Sequence, residues 1–232
     1  MNLVIFDIDG TLTQSVAVDE VCFVQAFQDV LGIGRINTNL LEYQFQTDSG
    51  LALEICRKHL GRAPDAAEIS RLQSRFVALL GGAVEAPGQA VREIPGAAAL
   101  LCWLKRQARW RVAIATGGWS VSARVKLASA RLAVDGLPWA SADDAFDRAD
   151  ILRTAIRRAV QEYGADAFEQ VVYVGDAIWD VRAAMALGIG FLGLAAGARA
   201  GRLAEAGASD ILPDFSDPVR VWECLEAAAR RR

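Results

Sequence analysis

Four unbroken apolar runs constrain the fold of this chain more than any other feature. Leu3-Val4-Ile5-Phe6, Val112-Ala113-Ile114-Ala115, Val171-Val172-Tyr173-Val174 and Phe191-Leu192-Gly193-Leu194 do not alternate with polar residues. Such runs mark strands buried on both faces. A weaker run spans Leu137 to Ala140. Between the later runs lie stretches of helical character at 97–108, 120–131, 149–163 and 178–187, and a last helix is expected over about 217–230. Strand alternating with helix predicts an α/β fold, a parallel sheet with helices on both faces.

One segment interrupts that alternation. From 15 to 88 the chain carries helix signals and no strand signal. Asp19 precedes an apolar series at Val21, Val24, Phe27, Val30 and Leu31, which Gly32 stops. Asp48-Ser49 suits the start of a helix ending at Gly61, and Pro64-Asp65 opens a third that Gly81-Gly82 is expected to stop. Caps before and glycines after are the usual helix punctuation. A helical insert over 15–88 is therefore expected within a core made of 1–14 and 89–232. Gln14-Ser15 and Pro87-Gly88 are the candidate hinges.

The composition excludes several partners. A net charge of −3 and a pI near 5.3 do not suit a nucleic-acid sheath. No apolar run reaches membrane-spanning length, so no membrane partner is expected. Cys22, Cys56, Cys102 and Cys224 form no CxxC pair and read as buried free thiols. The amino-terminal residues lead directly into a strand with no leader-like segment, and a reducing, cytoplasmic setting is expected.

The chemistry is concentrated where the strands end. The first run ends in Asp7-Ile8-Asp9-Gly10-Thr11, the second in Thr116-Gly117-Gly118, the third in Gly175-Asp176 with Asp180 four residues on. In open parallel sheets, ligands bind at the carboxyl ends of strands. Clustered carboxylates repel one another and call for a cation. An oxygen-only ligand set suits a hard one, Mg²⁺. Thr116, Gly117 and Gly118 supply a hydroxyl and unhindered N–H groups at a helix N-terminus, which receives an anion such as phosphate. A carboxylate nucleophile, Mg²⁺ and a phosphate cradle together indicate phosphoryl transfer through an aspartyl-phosphate.

Asp7-Ile8-Asp9-Gly10-Thr11-Leu12 resembles motif I of the haloacid dehalogenase-like (HAD) superfamily. Thr116 matches motif II, and Gly175-Asp176-Ala177-Ile178-Trp179-Asp180 resembles the GDxxxD form of motif IV. The helical insert lies where the family places its C1 cap. Thr47-Asp48-Ser49-Gly50 and the tail from Gly188 to Asp214 resemble phosphoglycolate-phosphatase-like members. The resemblance implies a Rossmann-like core with strand order 5-4-1-2-3, Mg²⁺ dependence and phosphatase activity on a small phosphorylated substrate. It implies Asp7 as nucleophile and Asp9 as general acid and base. Thr116 and Gly117, beside Gly118, would bind the phosphoryl group, and Asp7, Asp9 and Asp176 the metal, with Asp180 beside them.

Motif III departs from the family pattern. No Lys-Pro precedes the helix leading to motif IV, and only three lysines exist: Lys58, Lys105 and Lys126. Lys126, ten residues after Thr116, is the favoured cation, and Arg148 is the competitor. His59, the single histidine, gives no basis for a His metal site or a Ser/His triad. Two rival readings are a β-phosphoglucomutase-type phosphomutase, which keeps both acids, and a non-catalytic binding module on the same fold. A monomer or weak homodimer is expected.

Overall fold

In the computed structural model, residues 1–86 and 91–231 are described. The candidate hinge at Pro87-Gly88 lies outside them. A six-stranded parallel sheet runs in the order β3-β2-β1-β4-β5-β6. Its strands are β1 (Asn2–Phe6), β2 (Trp110–Ala115), β3 (Trp139–Ala140), β4 (Gln170–Gly175), β5 (Gly190–Leu194) and β6 (Asp210–Leu212). Read from β5 to β3, this is the expected 5-4-1-2-3 order, with β6 added at the edge. Sequence patterning missed β6, because three residues ending before Pro213 carry no readable period.

Both faces of the sheet are covered, which explains the unbroken apolar runs. Val4 and Phe6 point into a core shared with α4 (Ala97–Leu104), α5 (Ser120–Ser129) and α9 (Pro218–Arg230). Leu3 and Ile5 point the other way, into a core shared with α6 (Arg148–Glu162) and α7 (Ile178–Leu187). The twofold period of a strand sends neighbours to opposite faces, so a strand covered twice must be apolar throughout. An eighth helix, α8 (Ala198–Glu205), was not expected; Leu203 is its one buried residue.

The segment after β1 is helical, with α1 (Val16–Leu31), α2 (Asp48–Leu60) and α3 (Ala66–Glu85) around their own apolar core of Phe23, Phe27, Ile55, Leu72, Phe76 and Leu80. A single 3₁₀ turn, Leu40–Glu42, lies between α1 and α2. Two boundaries differ from expectation. Helix α1 starts at Val16, one turn before Asp19. Helix α3 continues through Gly81-Gly82 to Glu85. Ala83 and Val84 pack on the insert core beyond the glycines, and that packing outweighs the ~1 kcal/mol helix penalty of each glycine. Where the insert joins the core, Thr13 bridges Glu93 and Ile94 N donates to Leu12 O at 2.9 Å, so the two connecting segments run side by side.

Cys22, Cys56 and Cys224 are buried, but Cys102 is exposed, because it stands on the outer face of α4. No helix among the described residues is long and apolar enough to cross a membrane.

Candidate active site

Strand register brings the motif residues to one edge. Phe6 pairs with Ile114 on one side and Val174 on the other. The residues that follow, Asp7, Thr116 and Asp176, therefore emerge together. They line a cavity of about 560 Å³ between the sheet edge and the helical insert, with Asp9, Gly117, Gly118 and Arg148.

Asp7 is 3% exposed. Its Oδ1 accepts from Arg148 Nη1 at 3.1 Å, and Thr11 Oγ1 stands 3.5 Å from its Oδ2. One carboxylate oxygen from each of Asp7, Asp176 and Asp180 lies within 4.8 Å of the others. Gly10 takes φ +79°, and a Cβ there would collide with the Asp176 carboxylate, so the DxDG turn excludes side chains at this position for two reasons.

The electrostatics follow from burial. Desolvation pushes the Asp7 carboxyl well above the usual range; Arg148 opposes this, while Asp180, Asp176 and Asp9 reinforce it. Asp176 is pushed up to about 7 by burial and by Asp180, against the pull of Arg199. Burial also raises Asp180, which Arg148 and the Tyr173 hydroxyl counter. Three buried carboxyls that resist ionising, with no nitrogen or sulfur ligand among them, form a donor set that fits a hard divalent cation. Asp9 does not add its carboxylate to this triad, because its side chain is turned to Lys126 and Ser15.

Both candidate cations reach the site. Lys126, fully buried, places Nζ 2.6 Å from Asp9 Oδ2 and 2.6 Å from Asp19 Oδ1. Burial would lower its pKa, but Asp19, Asp9 and Asp48 outweigh that and keep the ammonium charged. Arg148 lies against Asp7, and its Nε stands 3.5 Å from Asp180 Oδ1. Asp180 is itself held by Tyr173 Oη at 3.0 Å and Ala177 N at 3.1 Å. A Cβ at Gly117 would meet the Arg148 guanidinium at 2.6 Å, so Gly117 gives Arg148 its path to Asp7.

The anion-binding donors are fewer than the Thr-Gly-Gly sequence suggests. Gly118 N donates to Thr116 Oγ1 at 3.1 Å. At the start of α5, Trp119 N donates to Asp48 Oδ2 at 2.7 Å and Ser120 N to Asp143 Oδ2 at 2.8 Å. That leaves the Thr116 hydroxyl and the Gly117 N–H, which makes no hydrogen bond among the described residues. Asp143 thus caps α5.

Several site residues carried no readable signal. Asp19 reads as a helix-start residue, yet it shares Lys126, and burial pushes it up to about 6 against the lysine's pull. Asp48, by contrast, belongs to the Thr47-Asp48-Ser49-Gly50 segment that the sequence marks; it is the first residue of α2, is buried, and is raised well above its ordinary range by desolvation. Arg199, on α8, pairs with Asp176. Arg57 and Gln44 stay exposed, while Gln46 lines the cavity. Trp119 is wholly buried against Phe23 and Phe76, whereas Trp179 lines the cavity. The insert is held down by Asp48 N on Gly117 O at 2.8 Å, Thr47 Oγ1 on Phe146 O at 2.7 Å and Trp119 Nε1 on Ser49 Oγ at 2.8 Å.

Solved structures of the same fold cover nearly the whole chain. A hydrolase from Pseudomonas syringae is 24% identical, with 99% of this chain and 100% of that one covered at a TM-score of 0.70. CbbY from Rhodobacter sphaeroides, solved in complex with phosphate, is 22% identical, with 93% and 95% covered at 0.67. A predicted phosphoglycolate phosphatase from Haemophilus somnus 129PT is 20% identical, with 95% and 97% covered at 0.62. At these identities the likeness is one of fold. No curated protein matches the chain significantly. The model of the haloacid dehalogenase-like hydrolases matches residues 1–188, motifs I, II and IV included, and the chain belongs to that family.

Proposed function

We propose that this protein is a Mg²⁺-dependent phosphomonoesterase acting on a small phosphorylated substrate through an aspartyl-phosphate on Asp7. The observation that carries this reading is the buried Asp7 carboxylate at the cavity floor, facing Arg148 at 3.1 Å and crowded by Asp176 and Asp180.

Asp7, Asp176 and Asp180, with the backbone carbonyl of Asp9, would hold Mg²⁺, which when bound supplies the positive charge that lets an anionic nucleophile and an anionic phosphate approach. Asp7 attacks phosphorus in line, forming the Asp7 O–P bond as the bond to the leaving oxygen breaks. Thr116 Oγ and the Gly117 N–H donate to phosphoryl oxygens, and Arg148 offsets charge shared between Asp7 and the transferring group. Asp9 delivers a proton to the leaving alkoxide and then takes one from the water that cleaves the aspartyl-phosphate. Lys126 and Ser15 hold the Asp9 carboxyl in place for both transfers. The helical insert closes over the cavity and excludes bulk water.

The test is Mg²⁺-dependent phosphate release from p-nitrophenyl phosphate, with trapping of a hydroxylamine-sensitive phosphoryl group on the protein. Release that persists in excess EDTA, or a trapped label that survives Asp7→Asn, would overturn the reading.

A further inference from the structure

The cavity has two unlike ends. At the sheet edge stand the phosphate-binding groups already described. The end built by the insert is walled by Phe23, Val24, Leu40, Leu41, Leu51 and Ile55. Leu41 is 53% exposed and Val24 is only half-buried, so apolar surface is left facing the space.

Most of the polar residues in that wall have their donors directed elsewhere; among the described residues the Thr38 hydroxyl is the exception. Gln46 Nε2 donates to Leu40 O and Tyr43 O, at 3.3 and 2.7 Å. Asn37 Nδ2 and Asn39 Nδ2 both donate to the Glu42 carboxylate, at 2.7 and 3.0 Å. The Tyr43 hydroxyl donates to Asn37 O at 2.8 Å. The loop between α1 and α2 thus satisfies itself and offers few donors to the hydroxyls of a sugar.

The charges point the same way. The insert contributes Asp19, Glu20 and Asp48 to the lining and, among the described residues, no Lys, Arg or His. A second anionic group on the leaving side would meet carboxylates from the insert. The remaining cations of the lining, Arg199 and Arg202, stand on α8 of the core, and Arg199 is held by Asp176.

We propose that the preferred substrate is the monophosphate of an uncharged, largely apolar alcohol, alkyl or aryl, whose hydrocarbon part occupies the insert end of the cavity. This rests on the phosphomonoesterase reading above. Val24 and Leu40 are the specificity-determining side chains, and neither touches the reacting atoms.

The experiment uses the full chain and a series of n-alkyl monophosphates from ethyl to octyl, beside phosphoglycolate, glucose 6-phosphate and inorganic phosphate. Binding is measured by calorimetry on Asp7→Asn with Mg²⁺, and turnover on the unmodified protein. Affinity and kcat/KM are expected to rise about fourfold per added methylene until the cavity is filled, the value for burying a CH₂ group. Val24→Lys should flatten that slope and favour phosphoglycolate, while Val24→Ala should lower the slope without that gain. Binding that rises with chain length in the absence of any turnover would sink the hydrolase reading and, with it, the claim that these esters are substrates. A flat or falling series, with phosphoglycolate or glucose 6-phosphate bound more tightly, would overturn the proposal and leave the phosphatase reading intact. No binding by any compound, inorganic phosphate included, would overturn both.

Discussion

Lys126 Nζ lies 2.6 Å from Asp9 Oδ2, although Lys126 stands in the last turn of α5, far along that helix from Thr116. A helical side chain points back toward the N-terminus, and that direction carries the ammonium to the sheet edge. Arg148 meanwhile reaches Asp7. The two cations that the sequence offers as alternatives are therefore both present, one for each carboxylate of motif I, and they carry different tasks in the proposed mechanism.

Replacing the nucleophile separates chemistry from folding. Asp7→Asn should lose about 10⁴-fold or more in phosphate release. Without divalent ions its Tm should equal or exceed that of the parent, because burial and three neighbouring carboxylates disfavour the Asp7 charge. Substantial turnover in a folded Asp7→Asn sample checked by mass spectrometry for deamidation would refute the assignment.

Both cations should be needed for turnover. Loss of either should cost about 10²–10³ in kcat. Lys126→Met also leaves Asp9 and Asp19 without their shared counter-ion in a buried site, and removing one partner of a buried pair costs about 3–5 kcal/mol. Thermal unfolding should show a large drop for Lys126→Met, and kinetics at saturating Mg²⁺ should show the kcat loss for Lys126→Met and for Arg148→Met alike. Near-parental turnover in Lys126→Met would remove the lysine from the mechanism.

Mg²⁺ should stabilise the native state. At a concentration near 100 times its Kd the gain is about 2.7 kcal/mol, or roughly 5–10 °C in Tm for a chain of this size. Arg199 competes for Asp176, so Arg199→Ala should tighten Mg²⁺ binding by about two- to fivefold, the range for a half-exposed ion pair. Titration calorimetry on both proteins reads this directly, and weaker Mg²⁺ binding by Arg199→Ala would contradict it.

Gly117→Ala should damage catalysis more than stability. The new methyl would lie 2.6 Å from the Arg148 guanidinium, and the arginine must shift. A displacement near 1 Å is expected to cost about 10²-fold in kcat, with a small change in Tm. Unchanged kcat would show that Arg148 need not pass over Gly117.

Acid stability should carry the signature of Glu68. Its carboxylate takes Arg62 at 2.7 Å on both oxygens and closes the capping box with Asp65 at the start of α3. Its pKa is lowered from 4.5 to about 2, first by the Arg62 hydrogen bonds and then by the Asp65 backbone. A depressed carboxylate stabilises the fold above its unfolded pKa and loses that contribution as pH falls through the folded one. The Tm difference between the parent and Glu68→Gln should be full above about pH 5 and shrink to nothing near pH 2. A difference independent of pH would place the effect in packing.

Five of the six strands, the insert helices and the motif carboxylates are legible in the sequence, because each is written in local pattern. Unbroken apolar runs require strands covered on both faces, and Asp7, Thr116 and Asp176 follow those runs directly. Capping residues such as Asp65 announced the insert helices. What depends on long side chains and distant neighbours is settled only when the elements pack. Gly81-Gly82 stays helical because Ala83 and Val84 find a core beyond it. Asp19 looks like a helix-start residue and is a partner of Lys126 only because α1 packs over the sheet edge. Asp48 takes the Trp119 N–H that a helix N-terminus would offer to phosphate. Arg199 reaches Asp176 from a helix with a single buried residue. Local periodicity records which face of an element is covered. It does not record which flexible charged side chain, tens of residues away, will be brought within hydrogen-bond distance when those faces pack.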